Sequence, residues 1–394
     1  MKGVFVSYRF AARVVEMQPS PTVAVSDTVR ALRQQGKDVV DLGGGEPDFA
    51  TPEWICRAAA DAMFAGDTHY VASAGTPQLR QAIARKLKDD NGIEVGPEAI
   101  IVTPGAKSAL FSSVLALVQP GDDVLMFDPG WVSYEPMASV AGANCVRIPL
   151  DPSDNYRITR DVILEHITPA ARLLILNTPN NPTGRIATRD ELEAIASIAA
   201  ERDLIVISDE IYEKITYDGR QHLSTASLPG MAERTLTVNG FSKAYAMTGW
   251  RLGYVAGPLE IIKQVAKIHS HSITCASSFS QAGAVEALNG PQYFIDSMVE
   301  AWDARRHRIA AGLNSVPGFK CPLPEGAFYA LPDISGTGLS GADVAKRLID
   351  QALVGVTPGG AFGDVTQNHI RLSFANSDSV IDSAIERIRK TFAA

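Results

Sequence analysis

The chain has 394 residues, 46% of them hydrophobic and 20% charged, which is enough apolar material for a large core and excludes a disordered tail or linker. Lys and Arg total 36 against 44 Asp and Glu, a formal net charge of -8, so no basic face is available to neutralise a phosphate backbone and nucleic acid is not an expected partner. At about 100–200 residues per domain, the length suits two domains or one large domain with a smaller companion.

In chain order, residues 100–103 read as a strand, 107–118 as a helix, 123–127 as a strand, 131–141 as a helix, and 144–149 and 172–177 as strands. A helix over 189–202, strands over 203–208, 234–239 and 253–256, and a helix over 259–270 follow. Short apolar runs alternating with amphipathic stretches are the pattern of parallel strands joined by helices, an α/β core. Beyond it, a charged helical stretch over 298–313 leads to 327–331, a helix over 342–351, a strand over 369–374 and a closing helix over 379–391. That α+β unit is expected to pack beside the core together with the N-terminal segment. Asn289-Gly290-Pro291 is the expected hinge, giving an N-terminal arm and part of the small domain over 1–48, a large domain over 49–290 and a C-terminal small domain over 291–394.

Cys56, Cys145, Cys275 and Cys321 form no C-x-x-C pair, so local sequence builds neither a zinc knuckle nor a dithiol motif, and a reduced, cytoplasmic setting is expected. Lys2, Arg9, Arg13 and Glu16 break the early apolar stretches before they reach signal-peptide length, so no export is expected. Apolar runs such as 173–176 and 204–207 fall far short of the ~18 residues of a membrane helix. Gly336-Thr-Gly338-Leu-Ser-Gly341 is a literal G-x-G-x-x-G, yet too little chain follows to build a dinucleotide fold, so a loop and helix start are expected there. His269 and His271 stand two apart on a helical stretch and face apart, and no metal site is expected.

Lys243 lies in Asn239-Gly-Phe-Ser-Lys-Ala-Tyr-Ala-Met-Thr-Gly-Trp-Arg251, a loop of small, aromatic and hydroxyl residues after a strand. Desolvation there disfavours the ammonium and prepares an amine that attacks an aldehyde; the plain alternative is a surface lysine closing a loop. Its company decides. The apolar run 204–207 enters Ser208-Asp209-Glu210-Ile211-Tyr212, which places Asp209 at the carboxyl end of a buried strand, where open α/β sheets bind ligands. The run 173–176 ends in Asn177-Thr-Pro-Asn-Asn-Pro-Thr-Gly184, presenting the amide of Asn181 at the same edge. An acid for a ring nitrogen, an amide for a ring oxygen and a lysine for an aldehyde suit a heteroaromatic aldehyde. Alone, each motif is turn chemistry or a cap, as Asp209 could be.

With these residues the sequence closely resembles the class I aminotransferases of the aspartate aminotransferase family, specifically the bacterial aspartate/prephenate subgroup. The likeness runs from Pro19-Ser20-Pro21-Thr22 through Gly45-Glu-Pro-Asp48, Thr103-Pro-Gly-Ala-Lys-Ser108 and Gly326-Ala-Phe-Tyr329 to His369-Ile-Arg-Leu-Ser-Phe374. It implies the fold-type I architecture, a large mixed, mostly parallel sheet domain with a smaller α+β domain, and pyridoxal 5'-phosphate as cofactor. It implies that Lys243 forms the Schiff base and moves the proton, that Asp209 pairs with the pyridine nitrogen, that Tyr212 and Asn181 donate to the ring oxygen, and that Trp131 stacks on the ring. Gly105, Ala106 and Lys107 open a helix whose N–H groups face an anion, and Ser242 and Arg251 add a hydroxyl and a guanidinium for the phosphate. Tyr70 matches the tyrosine that reaches the neighbouring subunit's phosphate, hence a homodimer; the alternative is an ordinary core aromatic.

Arg371 sits in an otherwise apolar or small-residue strand, where a guanidinium is costly without a carboxylate; the family likeness makes that the substrate α-carboxylate, the alternative being an internal salt bridge. Gly45, lacking a Cβ, is expected to bring its N–H to the same carboxylate. Ser20, Thr22 and Lys107 match positions that recognise a distal carboxylate in the subgroup; alternatively Lys107 serves only the phosphate while Ser20 and Thr22 cap local structure. The implied reaction is reversible transamination between aspartate or glutamate and a 2-oxo acid such as 2-oxoglutarate. Prephenate or a broader range of amino acids, or a lyase on the same fold, are the alternatives. A cofactor-sensing regulator needs a DNA-binding module for which the residues before Pro19 leave no expected room.

Overall fold

The computed structural model describes residues 8–393; the first seven residues, Lys2 of the export reading among them, and Ala394 lie outside the described residues. In chain order the helices are α1 (Ala12–Val15), α2 (Pro21–Gln34), α3 (Glu53–Phe64), α4 (Pro77–Asn91), α5 (Ala106–Leu117), α6 (Tyr134–Ala141), α7 (Arg160–His166), α8 (Arg189–Glu201), α9 (Leu259–Ser272), α10 (Ser278–Asn289), α11 (Tyr293–Asn314), α12 (Gly341–Arg347) and α13 (Asp378–Phe392). The strands are β1 (Val40–Asp41), β2 (Ile100–Thr103), β3 (Asp123–Asp128), β4 (Asn144–Pro149), β5 (Ala171–Asn177), β6 (Ile205–Asp209), β7 (Thr235–Gly240), β8 (Gly253–Ala256), β9 (Tyr329–Ala330), β10 (Val354–Gly355), β11 (Thr357–Pro358) and β12 (Ile370–Ser373).

Seven strands form the central sheet in the order β2-β8-β7-β6-β5-β3-β4. All neighbours are parallel except β8, which runs antiparallel to both β2 and β7, so the sheet is mixed and mostly parallel, as expected. Residues 241–252, between β7 and β8, form turns instead of the crossover helix that a parallel return needs, so the chain doubles back beside β7. Residues of β2, β3, β7 and β8 are buried at every position because helices cover both faces, which is why these strands read as continuous apolar runs. The pleat divides them: Val124 and Met126 pack with α5, α6 and α9, while Leu125 and Phe127 pack with α7 and α8.

Helix starts carry local signals. Thr188 and Glu191 form a reciprocal capping box at the head of α8, and Thr76 caps α4, which stops at the left-handed Gly92. Six helices, α1, α2, α3, α4, α7 and α10, fall where the sequence reading placed no element. The buried positions of α10 are Ser278, Ser280, Gln281, Gly283, Ala284 and Ala287, a face built on small and polar side chains that gives no apolar stripe. The helix expected from 131 begins at Tyr134, leaving Trp131 in the preceding turn.

The C-terminal unit holds an antiparallel sheet in the order β11-β12-β9 and the parallel pair β1 and β10. Trp302, Phe328 and Phe374 centre its core, which Val40 and Leu42 of the N-terminal segment join. The 336–341 stretch is a short turn before α12, as expected, and His269 is buried while His271, two residues on, is exposed. Among the described residues no helix is long and apolar enough to cross a membrane.

Candidate active site

A cavity of about 400 Å³ opens at the carboxyl edge of the central sheet, between α2, the loop after β1 and the C-terminal unit. Asn177 and Asp209 end β5 and β6 in register with each other and line it, the position at which an open α/β sheet presents side chains to a ligand. Ser242 and Lys243 enter from the loop after β7, Ala106 and Lys107 from the head of α5, Gly45 from the N-terminal segment, and Tyr329 and Arg371 from β9 and β12.

Asp209 is 4% exposed. Tyr134 donates its hydroxyl to Oδ2 at 2.7 Å, and the Ile211 N–H reaches Oδ1 at 3.4 Å. Burial pushes the carboxyl up to about 6 against the pull of these two donors. Lys243 donates to the Gly45 carbonyl and stands 5.9 Å from the ring centroids of Tyr212 and Phe328. Desolvation lowers its ammonium to about 8, with Arg251 and Arg371 pushing the same way and Glu46 and Asp209 opposing. A surface lysine closing a loop is not what the structure shows. Tyr212 meets Tyr329 hydroxyl to hydroxyl at 2.9 Å, and burial raises both phenols.

Arg371 is 2% exposed and has no carboxylate within ion-pair reach among the described residues, so the internal salt bridge is absent. Its Nη1 donates to Asn181 Oδ1 at 3.0 Å and its Nη2 to the Gly43 carbonyl at 2.7 Å, while Nε is left without a partner. The rings of Tyr329 and Phe362 pack on the guanidinium at 4.4 and 4.9 Å. Asn181 is anchored by its N–H on Asn177 Oδ1 at 2.8 Å, and Asn177 in turn donates to the Asp209 carbonyl at 2.9 Å. A Cβ on Gly45 would lie 2.8 Å from the Tyr329 hydroxyl.

At the far side, Gly105 precedes α5 with φ +83°, and the head of that helix has no side-chain cap. A Cβ there would stand 2.7 Å from Arg251 Nη2, so glycine lets the guanidinium lie against the helix N-terminus. Lys107 stands over the Trp131 ring at 4.9 Å, its ammonium lowered by desolvation and by Arg251. Trp131 meets Tyr134 edge-on at 5.3 Å between centroids. Thr22 lines the cavity from α2; Ser20, at that helix's N-cap, accepts no capping bond and instead bonds the Thr22 hydroxyl at 3.0 Å, which corrects the capping alternative for Ser20. Tyr70 is 86% exposed in the loop before α4, so it is no core aromatic, and it is not in the cavity wall of its own chain.

Sequence reasoning missed Tyr134, Asn177, Tyr329 and Phe362. Asn177 and Tyr329 stood inside motifs already singled out, whereas Tyr134 and Phe362 read as core aromatics. Five cations, Arg30, Lys107, Lys243, Arg251 and Arg371, thus share the wall with two acids, Asp209 at the strand edge and Asp27 on α2. A buried guanidinium without its anion, an uncapped helix head beside a second guanidinium, and a desolvated lysine facing a carboxylate fit a phosphorylated pyridine aldehyde beside a substrate carboxylate. The site is that of a pyridoxal 5'-phosphate enzyme on the fold-type I scaffold.

The profile of the aminotransferase class I and II family matches residues 37–388, and the chain belongs to that family; as an aminotransferase it takes an amino acid and a 2-oxo acid as substrates. It is 46% identical over 380 residues to an aspartate aminotransferase of Musicola paradisiaca (strain Ech703), covering 96% of this chain and 95% of that one. It is 44% identical over 405 residues to a bifunctional aspartate aminotransferase and glutamate/aspartate-prephenate aminotransferase of Petunia hybrida, covering 99% and 84%. Among solved structures, the Thermus thermophilus aspartate aminotransferase with maleate superposes with a TM-score of 0.94 at 41% identity, covering 98% of this chain and 100% of that one.

Proposed function

We propose that this aminotransferase moves the amino group of aspartate or glutamate to a 2-oxo acid such as 2-oxoglutarate. The observation that carries the reading is the buried guanidinium of Arg371, which has no anion of its own and shares a cavity with the desolvated Lys243. Arg371 takes the α-carboxylate, with the Gly45 N–H beside it. Ser242, Arg251, Gly105, Ala106 and Lys107 hold the phosphate, Trp131 covers the ring, and Asn181 and Tyr212 face the ring oxygen. When bound, pyridoxal 5'-phosphate supplies the aldehyde and an electron-accepting ring. Asp209 keeps a proton on the ring nitrogen, its own buried charge offset by that proton's, and the Tyr134 hydroxyl steadies the carboxylate. Lys243, whose ammonium burial already disfavours, would as a free amine take the proton from the substrate's α-carbon and return it to the former aldehyde carbon, two atoms away across the nitrogen. Lys243→Ala is expected to remove both the visible-edge absorbance of the loaded enzyme and turnover. Normal rates in that variant overturn the reading, and release of ammonia or carbon dioxide without a new amino acid favours a lyase.

Lys107, with Thr22 and Ser20, is proposed to hold the distal carboxylate of a dicarboxylic substrate. A single flexible ammonium is less geometrically demanding than a paired guanidinium, which supports prephenate as a second acceptor. A panel of amino acids assayed against 2-oxoglutarate, and of aspartate against prephenate, ranks these substrates. The exposed Tyr70 and the apolar Phe10, Val14, Val15 and Phe64 at the surface support a homodimer with shared sites. The turn between α10 and α11 supports the division at residue 290. Four free cysteines support a reducing, cytoplasmic setting.

A further inference from the structure

Asp128 has no part in the machinery described above. It is the last residue of β3, is 3% exposed, and does not line the cavity. Its Oδ2 accepts the backbone N–H of Asp364 at 2.8 Å, from the turn that links the C-terminal unit to the sheet. A Cβ built on the neighbouring Gly363 would collide with Asp128 Oδ1, so the turn passes the carboxylate at a distance that only glycine permits, at φ +150°. Two further contacts cross the same seam: the Gly130 N–H reaches the Phe362 carbonyl at 2.9 Å, and Arg147 Nη1 reaches it at 3.4 Å.

Both ends of this seam lead to the site. Three residues after Asp128 comes Trp131 in the cavity wall, and one residue before Gly363 comes Phe362, buried with its ring 4.9 Å from the Arg371 guanidinium. Among the described residues no carboxylate holds that guanidinium, so its place is set by its bonds to Asn181, Gly43 and, at 3.4 Å, the Thr357 hydroxyl, and by the two rings packed on it. We propose that Asp128 is a positioning residue for the substrate carboxylate: by gripping the Phe362–Asp364 turn it fixes where Arg371 stands relative to Trp131. Displacement of a binding group by about 1 Å is enough to cost large factors in a reaction that depends on alignment. The proposal rests on the reading of Arg371 as the carboxylate site.

The test uses the loaded enzyme and maleate, a dicarboxylate that cannot react, titrated by calorimetry alongside steady-state kinetics with aspartate. Asp128→Ala is expected to weaken maleate binding and raise the KM for aspartate by at least about tenfold while kcat changes by less than about threefold. Asp128→Asn keeps an oxygen acceptor for the Asp364 N–H and is expected to stay within about threefold of the wild type on both measures. A role confined to stability would lower the melting temperature of Asp128→Ala and leave KM and maleate affinity in place. Gly363→Ala presses a methyl group on the same carboxylate from the other side and is expected to raise KM as Asp128→Ala does, which keeps the test available if Asp128→Ala does not fold. Unchanged maleate affinity in either alanine variant overturns the proposal, as does an Asp128→Asn enzyme as impaired as Asp128→Ala. Arg371→Ala separates the two readings. Loss of maleate binding there with normal binding in Asp128→Ala sinks only the role of Asp128, whereas retained binding in Arg371→Ala sinks the carboxylate site itself.

Discussion

Asp209 sits at 4% exposure with a carboxyl pushed up to about 6 by burial, and two donors only partly relieve it. In the unfolded chain the same group titrates near 4, so between about pH 4 and 6 the cofactor-free native state binds the extra proton. Its stability therefore falls as pH rises through that window, and the cost is fully present above it. Melting of the cofactor-free protein across pH 4–7 is expected to show the wild type losing roughly 2–3 kcal/mol relative to Asp209→Asn, a difference that saturation with cofactor removes. Parallel curves for the two proteins would contradict the charge state assigned to Asp209. Lys107 gives the second prediction at this scale. Removing a charge-assisted contact to a distal carboxylate costs about 1.5–3 kcal/mol, so Lys107→Ala is expected to lose roughly ten- to a hundredfold in kcat/KM for aspartate and little for alanine. Equal losses would assign Lys107 to the phosphate alone. Lys243, Asp209 and Arg371 were legible because each is an ionisable group in apolar or small-residue surroundings, which demands a partner. Tyr134 and Phe362 were not, because a tyrosine on a helix face and a phenylalanine in a Gly-rich turn look the same whether they support a site or only fill a core.

Among the elements, the sheet was more readable than the helices around it. Strands buried on both faces announce themselves as apolar runs, and β2, β4 and β8 begin and end where the sequence indicated. Strand direction is not written in such a run, which is why β8 needed the structure. The helix α2 hides because only Val29 is buried along its length in the single chain, and α10 because Gly283 lets it pack against Trp250, where a Cβ would stand 2.7 Å from the ring. The head of α5 combines legible and hidden parts: its glycine was clear in sequence, but the reason for it, the Arg251 guanidinium, comes from a loop that returns beside it. Gly105→Ala adds both a side chain 2.7 Å from Arg251 Nη2 and the cost of a left-handed φ at a residue with a Cβ. The cofactor dissociation constant is expected to rise about tenfold or more, read by absorbance on dilution, with a loss of roughly 1–2 kcal/mol in the stability of the cofactor-free chain. Unaltered cofactor retention would mean that the phosphate does not lie against this helix head.

At the scale of the whole molecule, the single chain leaves Tyr70 in solvent while every other proposed phosphate group stands in or beside the cavity. If Tyr70 completes the site of a second copy, each site is built from two chains and defects in different chains can complement one another. Tyr70→Ala and Lys243→Ala homodimers are then both impaired, the first for want of a phosphate contact and the second for want of its amine. In a hybrid of the two, the site that keeps Lys243 receives an intact Tyr70 from the other chain, and the second site has neither. Random reassortment makes about half of the dimers hybrids with one sound site of two, so activity is expected to recover to roughly a quarter of the wild-type value. The measurement is turnover after co-expression of differently tagged variants and isolation of doubly tagged dimers, in which the recovery doubles to about one half because the homodimers are gone. A Tyr70 that served its own chain would leave the hybrid no more active than the average of its parents, because the subunit carrying Lys243 would lack its tyrosine in every pairing.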